Sequence, residues 1–165
     1  MKNLYAIAVM LLLAVGAYAQ EGKNIYNKYS DSEGVSAVYI SPAMFRLIGK
    51  IPELNVDLGN NEKMDVAPLI STLKGFYMLD VENKAIRSEL VSNVEAMVKK
   101  GAYEILLEVK EEGSLVRLYT AGDEKIIESF VFVATEAEEV QFICIDGAMD
   151  RSETEALIAK AASGL

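Results

Sequence analysis

Four strand-like segments separated by very short connections fill the second half of the chain, and this feature most constrains the fold. From Tyr103 to Lys110, apolar and charged residues alternate, which is typical of a β-strand with one buried face. Three more such segments follow: Leu115 to Thr120, Lys125 to Ala134 and Val140 to Ile145. Parallel neighbours need crossovers of about a dozen residues or more, which these connections cannot provide. The spacing therefore predicts a four-stranded antiparallel meander.

Two of these segments are apolar on both faces. Residues 130–134 (FVFVA) and 142–145 (FICI) lack the alternation expected of a sheet with one solvated face. We therefore expect something to cover the second face. The cover is either helices or a second layer of this chain, or else a partner protein or apolar ligand. A shared exposed patch of more than a few hundred Å² would favour a partner or ligand.

Helix and strand signals alternate before this meander. The clearest helix spans residues 84–99, where Ile86, Leu90 and Val94 recur on one face and Gly101 follows the end. We expect other helices at residues 24–29, 42–48, 66–73 and 152–162, and strands at 35–40 and 76–81. Residues 50–61, with Pro52 and Gly59, are expected to form a loop.

These elements predict one α+β domain over residues 20–165, with a short mobile segment around Gln20 to Asn24. Its sheet is expected to be mostly antiparallel, with about five to six strands, and to pack with amphipathic helices. We find no internal repeat and no low-complexity linker.

The first 19 residues have the pattern of a secretion signal. Lys2 precedes an apolar run from Leu4 to Val15, and Ala17-Tyr18-Ala19 has the small-x-small form that signal peptidase cleaves. The run is shorter than the roughly 20 residues needed to span a bilayer. We expect cleavage after Ala19 and a periplasmic or secreted protein that keeps no stable membrane anchor. No cysteine follows the cleavage site, so we do not expect a lipoprotein.

Charge limits the classes of partner. The chain has 16 Lys+Arg and 25 Asp+Glu; removal of Lys2 with the signal would leave 15 against 25, a net charge of −10. Because phosphate binding depends on clustered basic residues, we expect no binding to nucleic acid.

Several catalytic chemistries are excluded by composition. The chain has no histidine, so Ser-His-Asp and Cys-His catalysis and histidine-ligated zinc cannot occur within it. Its single cysteine, Cys144, cannot form an intramolecular disulfide and is expected to be a buried apolar residue. We predict no catalytic, metal or cofactor-binding residues and no cofactor.

Carboxylates remain the only general acid–base candidates that we consider. Glu111-Glu112 and Glu136 to Glu139 lie at predicted turns, where solvated acids are common. The loop from Asp57 to Asp65 is rich in oxygen ligands, but its glycine stands at the wrong position for an EF-hand. Asp31 to Glu33 and Asp146 to Glu153 are interpreted as turn and helix-cap residues. The N-terminal aromatics are interpreted as core residues, with a ligand pocket as the alternative: Tyr26, Tyr29, Tyr39, Phe45, Phe76 and Tyr77.

A family resemblance rests on four segments. They are residues 29–45 (YSDSEGVSAVYISPAMF), 103–110 (YEILLEVK), 116–119 (VRLY) and 143–147 (ICIDG). Together they resemble the DUF4252 proteins, small exported proteins of Bacteroidota. The resemblance implies a plain secreted protein, and it implies no established activity and no site residues.

Two main functional hypotheses follow, with a weaker third. The first is a non-catalytic envelope protein that binds a partner protein or an apolar ligand. The alternative is a carboxylate-dependent hydrolase of envelope polymers, which would require two acids in one concave pocket, at least one with a raised pKa. The third is a secreted protein that senses or buffers stress through an envelope partner.

Overall fold

The computed structural model describes residues 18–50, 55–57, 63–101 and 103–163. Within these ranges the chain forms five helices, which are α1 (Tyr18–Tyr29), α2 (Pro42–Ile48), α3 (Ala67–Ser71), α4 (Lys84–Lys100) and α5 (Arg151–Ser163). The strands are β1 (Val35–Ile40), β2 (Asn55–Asp57), β3 (Lys63–Asp65), β4 (Leu73–Val81), β5 (Glu104–Glu111), β6 (Ser114–Gly122), β7 (Ile126–Thr135) and β8 (Val140–Asp150). The predicted signal residues up to Ala17 lie outside the described residues.

Six of the strands form one antiparallel sheet in the order β1-β4-β8-β7-β6-β5. The meander β5 to β8 confirms the prediction from short connections, and its first turn is closed by Gly113 at φ 82°. Strands β1 and β4 add to the free edge of β8, so β1 and β5 are the two edges. The α+β class and the six-stranded antiparallel sheet agree with the sequence.

One face of the sheet, called here the first face, carries the core. Helices α1 and α4 lie on it, and buried residues alternate along β4, β7 and β8 as the pleat requires. The centre of this core includes Leu79, Leu90, Val131 and Phe142, and each of these side chains is 0% exposed. The opposite side of the same strands is called the second face.

Local sequence signals explain how α2 and α4 begin and end. The Ser41 hydroxyl accepts a hydrogen bond from the Met44 amide, and Pro42 takes the first turn of α2. The Asn83 side chain accepts from the Ala85 and Ile86 amides at the start of α4, and Gly101 follows its end.

The structure corrects four local expectations. Residues 20–24 are not a mobile segment but part of α1, where Gly22 lies directly against Cys144. The expected loop at 50–61 contains β2, which pairs with β3.

Strand β5 is exposed along its whole length rather than half-buried. It is an edge strand, and a bulge after Ile105 breaks the alternation. Asp146 belongs to β8 and is buried, so it is not a turn residue.

Candidate functional site

The second face of the sheet presents apolar side chains in register across the strands. One row takes a residue from each of the six strands and contains Val38, Met78, Ile143, Phe132, Leu118 and Leu107. The next row contains Ile40, Phe76, Ile145, Phe130 and Thr120, and its apolar part ends there because Thr120 pairs with Glu104 of β5. We call these two the apolar rows. The longer row spans about 24 Å, since neighbouring strands lie about 4.8 Å apart.

Apart from Thr120, which is buried, these rows retain accessible surface, unlike the first face. Their members in β4, β7 and β8 are half-buried, whereas their immediate neighbours on the first face are buried. Towards the edges, Val38 is 45% exposed and Leu107 is 49% exposed. A packed layer of helices would bury such side chains as α1 and α4 bury those of the first face. The second-face side chains of the doubly apolar strands therefore form one accessible apolar surface.

A third row borders the apolar rows and introduces acids. It contains Ser36, Asp80, Gln141, Ala134, Val116 and Val109. Asp80 Oδ1 is buried and has no hydrogen-bond partner among the described residues. A hydrogen bond with Asp80, together with the charges of Asp80, Glu136 and Glu82, raises the pKa of the Glu139 carboxyl. The strongest side-chain influences on Glu139 are thus all acidic.

The sequence pattern could not have shown this acidic pair. The sequence predicts solvated turn residues at these acids, which holds for the exposed Glu111, Glu112, Glu136 and Glu138 but not for the half-buried Glu139. Asp80 lies in β4 and meets Glu139 only because β4 pairs with β8. The partner of β4 cannot be deduced from a connection 58 residues long, so no local signal was available.

The acids do not form a substrate cleft. The concavity beside Glu139 has a volume of about 160 Å³ and is lined by Ala134, Glu136, Glu139 and Gln141. Small-molecule sites are typically about 300–1,000 Å³ and largely apolar. No aromatic side chain lines this concavity to stack a sugar, so it offers no support for a polymer hydrolase.

Cys144 lies in a buried polar cluster beneath α1. It is 0% exposed, and burial raises the pKa of its thiol well above the ordinary value. Its sulfur lies 3.6 Å from the Ser129 hydroxyl and 3.4 Å from Asp146 Oδ1, while the Tyr103 hydroxyl donates to Ser129 at 3.4 Å. The predicted burial of Cys144 is confirmed, and a protonated and inaccessible thiol is a poor nucleophile.

A groove of about 300 Å³ separates α1 from α4 on the opposite side of the molecule. Its two lysines carry acidic partners: Lys28 Nζ lies 2.5 Å from Glu89 and Lys100 Nζ lies 3.1 Å from Glu21. Charge in this groove is therefore balanced by surface ion pairs.

The remaining metal-ligand and aromatic candidates from the sequence do not come together in one site among the described residues. Among the residues that the structure describes, no group of three or more Cys, Asp or Glu side chains is arranged to hold a metal ion. The oxygen-rich loop forms the β2–β3 hairpin, and residues 58–62 lie outside the described ranges. The aromatics divide, because Tyr29, Phe45 and Tyr77 are buried while Tyr39 is 45% exposed and stacks on Tyr77 at 5.3 Å.

Comparison with protein families places these observations in a wider group. The model of the family described as "Domain of unknown function (DUF4252)" matches residues 29–157, well over half of the chain. The chain belongs to the DUF4252 family. The matched region runs from the end of α1 into α5, so it contains both apolar rows and the Asp80–Glu139 pair. No curated protein and no solved structure matches the chain. Membership in DUF4252 therefore assigns no activity, and function must be argued from the residues.

Proposed function

We propose that this DUF4252 protein is an exported, non-catalytic binding module that uses the second face of its sheet to bind a partner protein of the envelope. The observation that carries the proposal is the pair of apolar rows, whose members in β4, β7 and β8 are only half-buried while the first face is buried under α1 and α4. Contiguous accessible apolar surface on a folded protein is typical of interaction sites.

The export part of the proposal rests on the sequence of the first 19 residues. The cleavage site after Ala19 falls in the first turn of α1. Cleavage there would leave Gly22, Ile25 and Tyr29, the α1 residues that contact the core, on the mature side. No helix within the described residues is long and apolar enough to cross a membrane.

A non-catalytic role fits the side-chain chemistry of the sheet. Apart from the Thr120 hydroxyl and Glu104 at the β5 end, the apolar rows contain no acid, base or nucleophile, and the buried thiol of Cys144 faces the covered side. Non-polar contact area and shape are therefore what this face offers to a partner.

The test is capture of an envelope partner by wild-type protein and by a Phe132→Asp variant. Phe132 stands in the middle of the longer row, so a carboxylate there would be desolvated by any partner that covers it. We expect capture to fall by at least about tenfold, the loss typical of a central interface residue. Ser92→Asp adds the same charge on the exposed side of α4 and should leave capture unchanged. Circular dichroism checks that both variants fold.

Equal capture by wild type and Phe132→Asp would contradict the proposal, since the partner would then bind elsewhere. The proposal would also be contradicted if an apolar small molecule bound to the same face and no envelope protein displaced it.

A further inference from the structure

The chemistry of the partner follows from the border of the apolar rows, on the premise that the second face is a binding face as proposed above. The three rows contain no Lys or Arg. Asp80 and Glu139 lie together at the border, with Glu82 and Glu136 close enough to act on Glu139. Asp80 Oδ1 is an acceptor already removed from water, and within the described part of the chain no donor reaches Asp80 except the proton that it shares with the Glu139 carboxyl.

An acceptor of this kind costs free energy unless a donor pairs with it. The nearby cations do not compensate it from the chain itself. Arg87 donates to the Ala137 carbonyl at 2.7 Å, and it shares with Lys84 a concavity that includes Val140, a first-face residue. A cationic group supplied from outside would pair with the acids while apolar groups beside it cover the rows.

We infer that the occupant of the second face is a cationic amphipathic helix of a partner protein, with its apolar side on the two rows and Lys or Arg side chains beside Asp80 and Glu139. A helix matches the surface because an amphipathic helix buries one apolar stripe against an apolar sheet face, as α1 and α4 do on the first face of the same sheet. An extended peptide would instead pair with the free edges at β1 and β5.

A second copy of this chain fits less well. The chain carries a net charge of −9, so two copies repel each other. Face-to-face packing would also enclose the acids of each copy against rows that hold no cation, which is unfavourable for buried charges.

The experiment measures binding of three synthetic helical peptides to the purified protein by fluorescence anisotropy. Each peptide has about 16 residues, a length that spans roughly 24 Å as a helix. The first has leucines on one side and lysines on the other, the second replaces every lysine with glutamate, and the third scrambles the lysine peptide so that it has no apolar side. We expect the lysine peptide to bind at least about tenfold more tightly than either of the others.

Variants separate specific pairing from general attraction to an acidic protein. Asp80→Asn with Glu139→Gln should weaken binding of the lysine peptide by about tenfold, because two charge-assisted contacts are lost. Glu153→Gln with Glu155→Gln removes the same charge from exposed positions of α5 and should change binding by less than about twofold. If the first double variant unfolds, Glu139→Gln alone serves, since Glu139 is only half-buried.

Equal losses in the two double variants, or equal affinity for the lysine and glutamate peptides, would overturn the cationic helix while leaving the binding face in place. A dimer in sedimentation that Phe132→Asp dissociates would overturn it in favour of a second copy. Unchanged peptide binding by Phe132→Asp would count instead against the proposed function, because the second face would not be the site.

Discussion

Asp146 carries a buried carboxyl group on the first face of the sheet. It is 1% exposed, its Oδ2 has no hydrogen-bond partner among the described residues, and its Oδ1 accepts from Cys144. Burial raises the pKa of Asp146 to about 6, although Ser129, Cys144 and Lys74 act in the opposite direction. The folded protein therefore holds this proton more tightly than the unfolded chain does.

This difference predicts a pH-dependent loss of stability. The stabilising contribution is fully present below about pH 3.8, the ordinary value, and is lost as the pH rises to about 6. Asp146→Asn stays neutral, so at pH 8 it should be more stable than wild type by about 1–3 kcal/mol. The advantage should disappear towards pH 4. Urea denaturation at pH 4, 6 and 8 measures it, with Asp31→Asn in the exposed turn as the control.

A wild-type protein whose stability relative to Asp146→Asn does not change between pH 4 and 8 would contradict this account of the buried carboxyl.

At the scale of elements, the contact between α1 and β8 depends on a residue without a side chain. A Cβ atom on Gly22 would lie 2.2 Å from Cys144 Sγ and 2.9 Å from Cys144 Cβ. Cys144 is enclosed by the sheet and cannot move away, so α1 would have to shift.

Gly22→Ala should therefore destabilise the protein by about 1–3 kcal/mol. The sign is diagnostic, because the same change inside an unobstructed helix stabilises by up to about 1 kcal/mol. Cys144→Ala removes the sulfur, so the double variant should be less destabilised than the sum of the two single variants by about 1 kcal/mol. Thermal denaturation of the four proteins measures this coupling. Strict additivity would show that the two residues do not press on each other.

The sequence patterns predicted which segments form helices and strands better than they predicted which strands pair with each other. Short connections determine which neighbours β5 to β8 have, and caps such as Asn83 mark where α4 begins. The place of β4 beside β8 depends on packing between distant segments, so neither the order of the sheet nor the Asp80–Glu139 pair could be deduced. The same reason explains β5, whose alternation predicts one buried side although its position at an edge leaves both sides exposed.

The doubly apolar strands are the part of the candidate site that sequence did indicate. Residues 130–134 and 142–145 predicted a second apolar face, and register places Phe130, Phe132, Ile143 and Ile145 side by side on it. The alternatives that the sequence left open, cover by the same chain or by a partner, depend on where the helices lie. In the described residues α1 and α4 cover the first face, while the second-face residues of β4, β7 and β8 stay half-buried, which favours the partner.

At the scale of the whole molecule, the account depends on a difference between two faces of one sheet. The first face is enclosed, and the second is an accessible apolar surface bordered by acids. Adjacent residues of β8 report on the two faces, because Cys144 is buried on the first and Ile143 is half-buried on the second.

Thiol labelling tests this difference most directly. Wild type carries a built-in reporter of the first face in Cys144, and Ile143→Cys in a Cys144→Ala background reports on the second face from the neighbouring position. A charged thiol reagent should label Ile143→Cys at least about 100-fold faster than native Cys144, which reacts only when the core opens. Equally slow labelling of both positions under native conditions would show that the second face is covered, and would contradict the central claim.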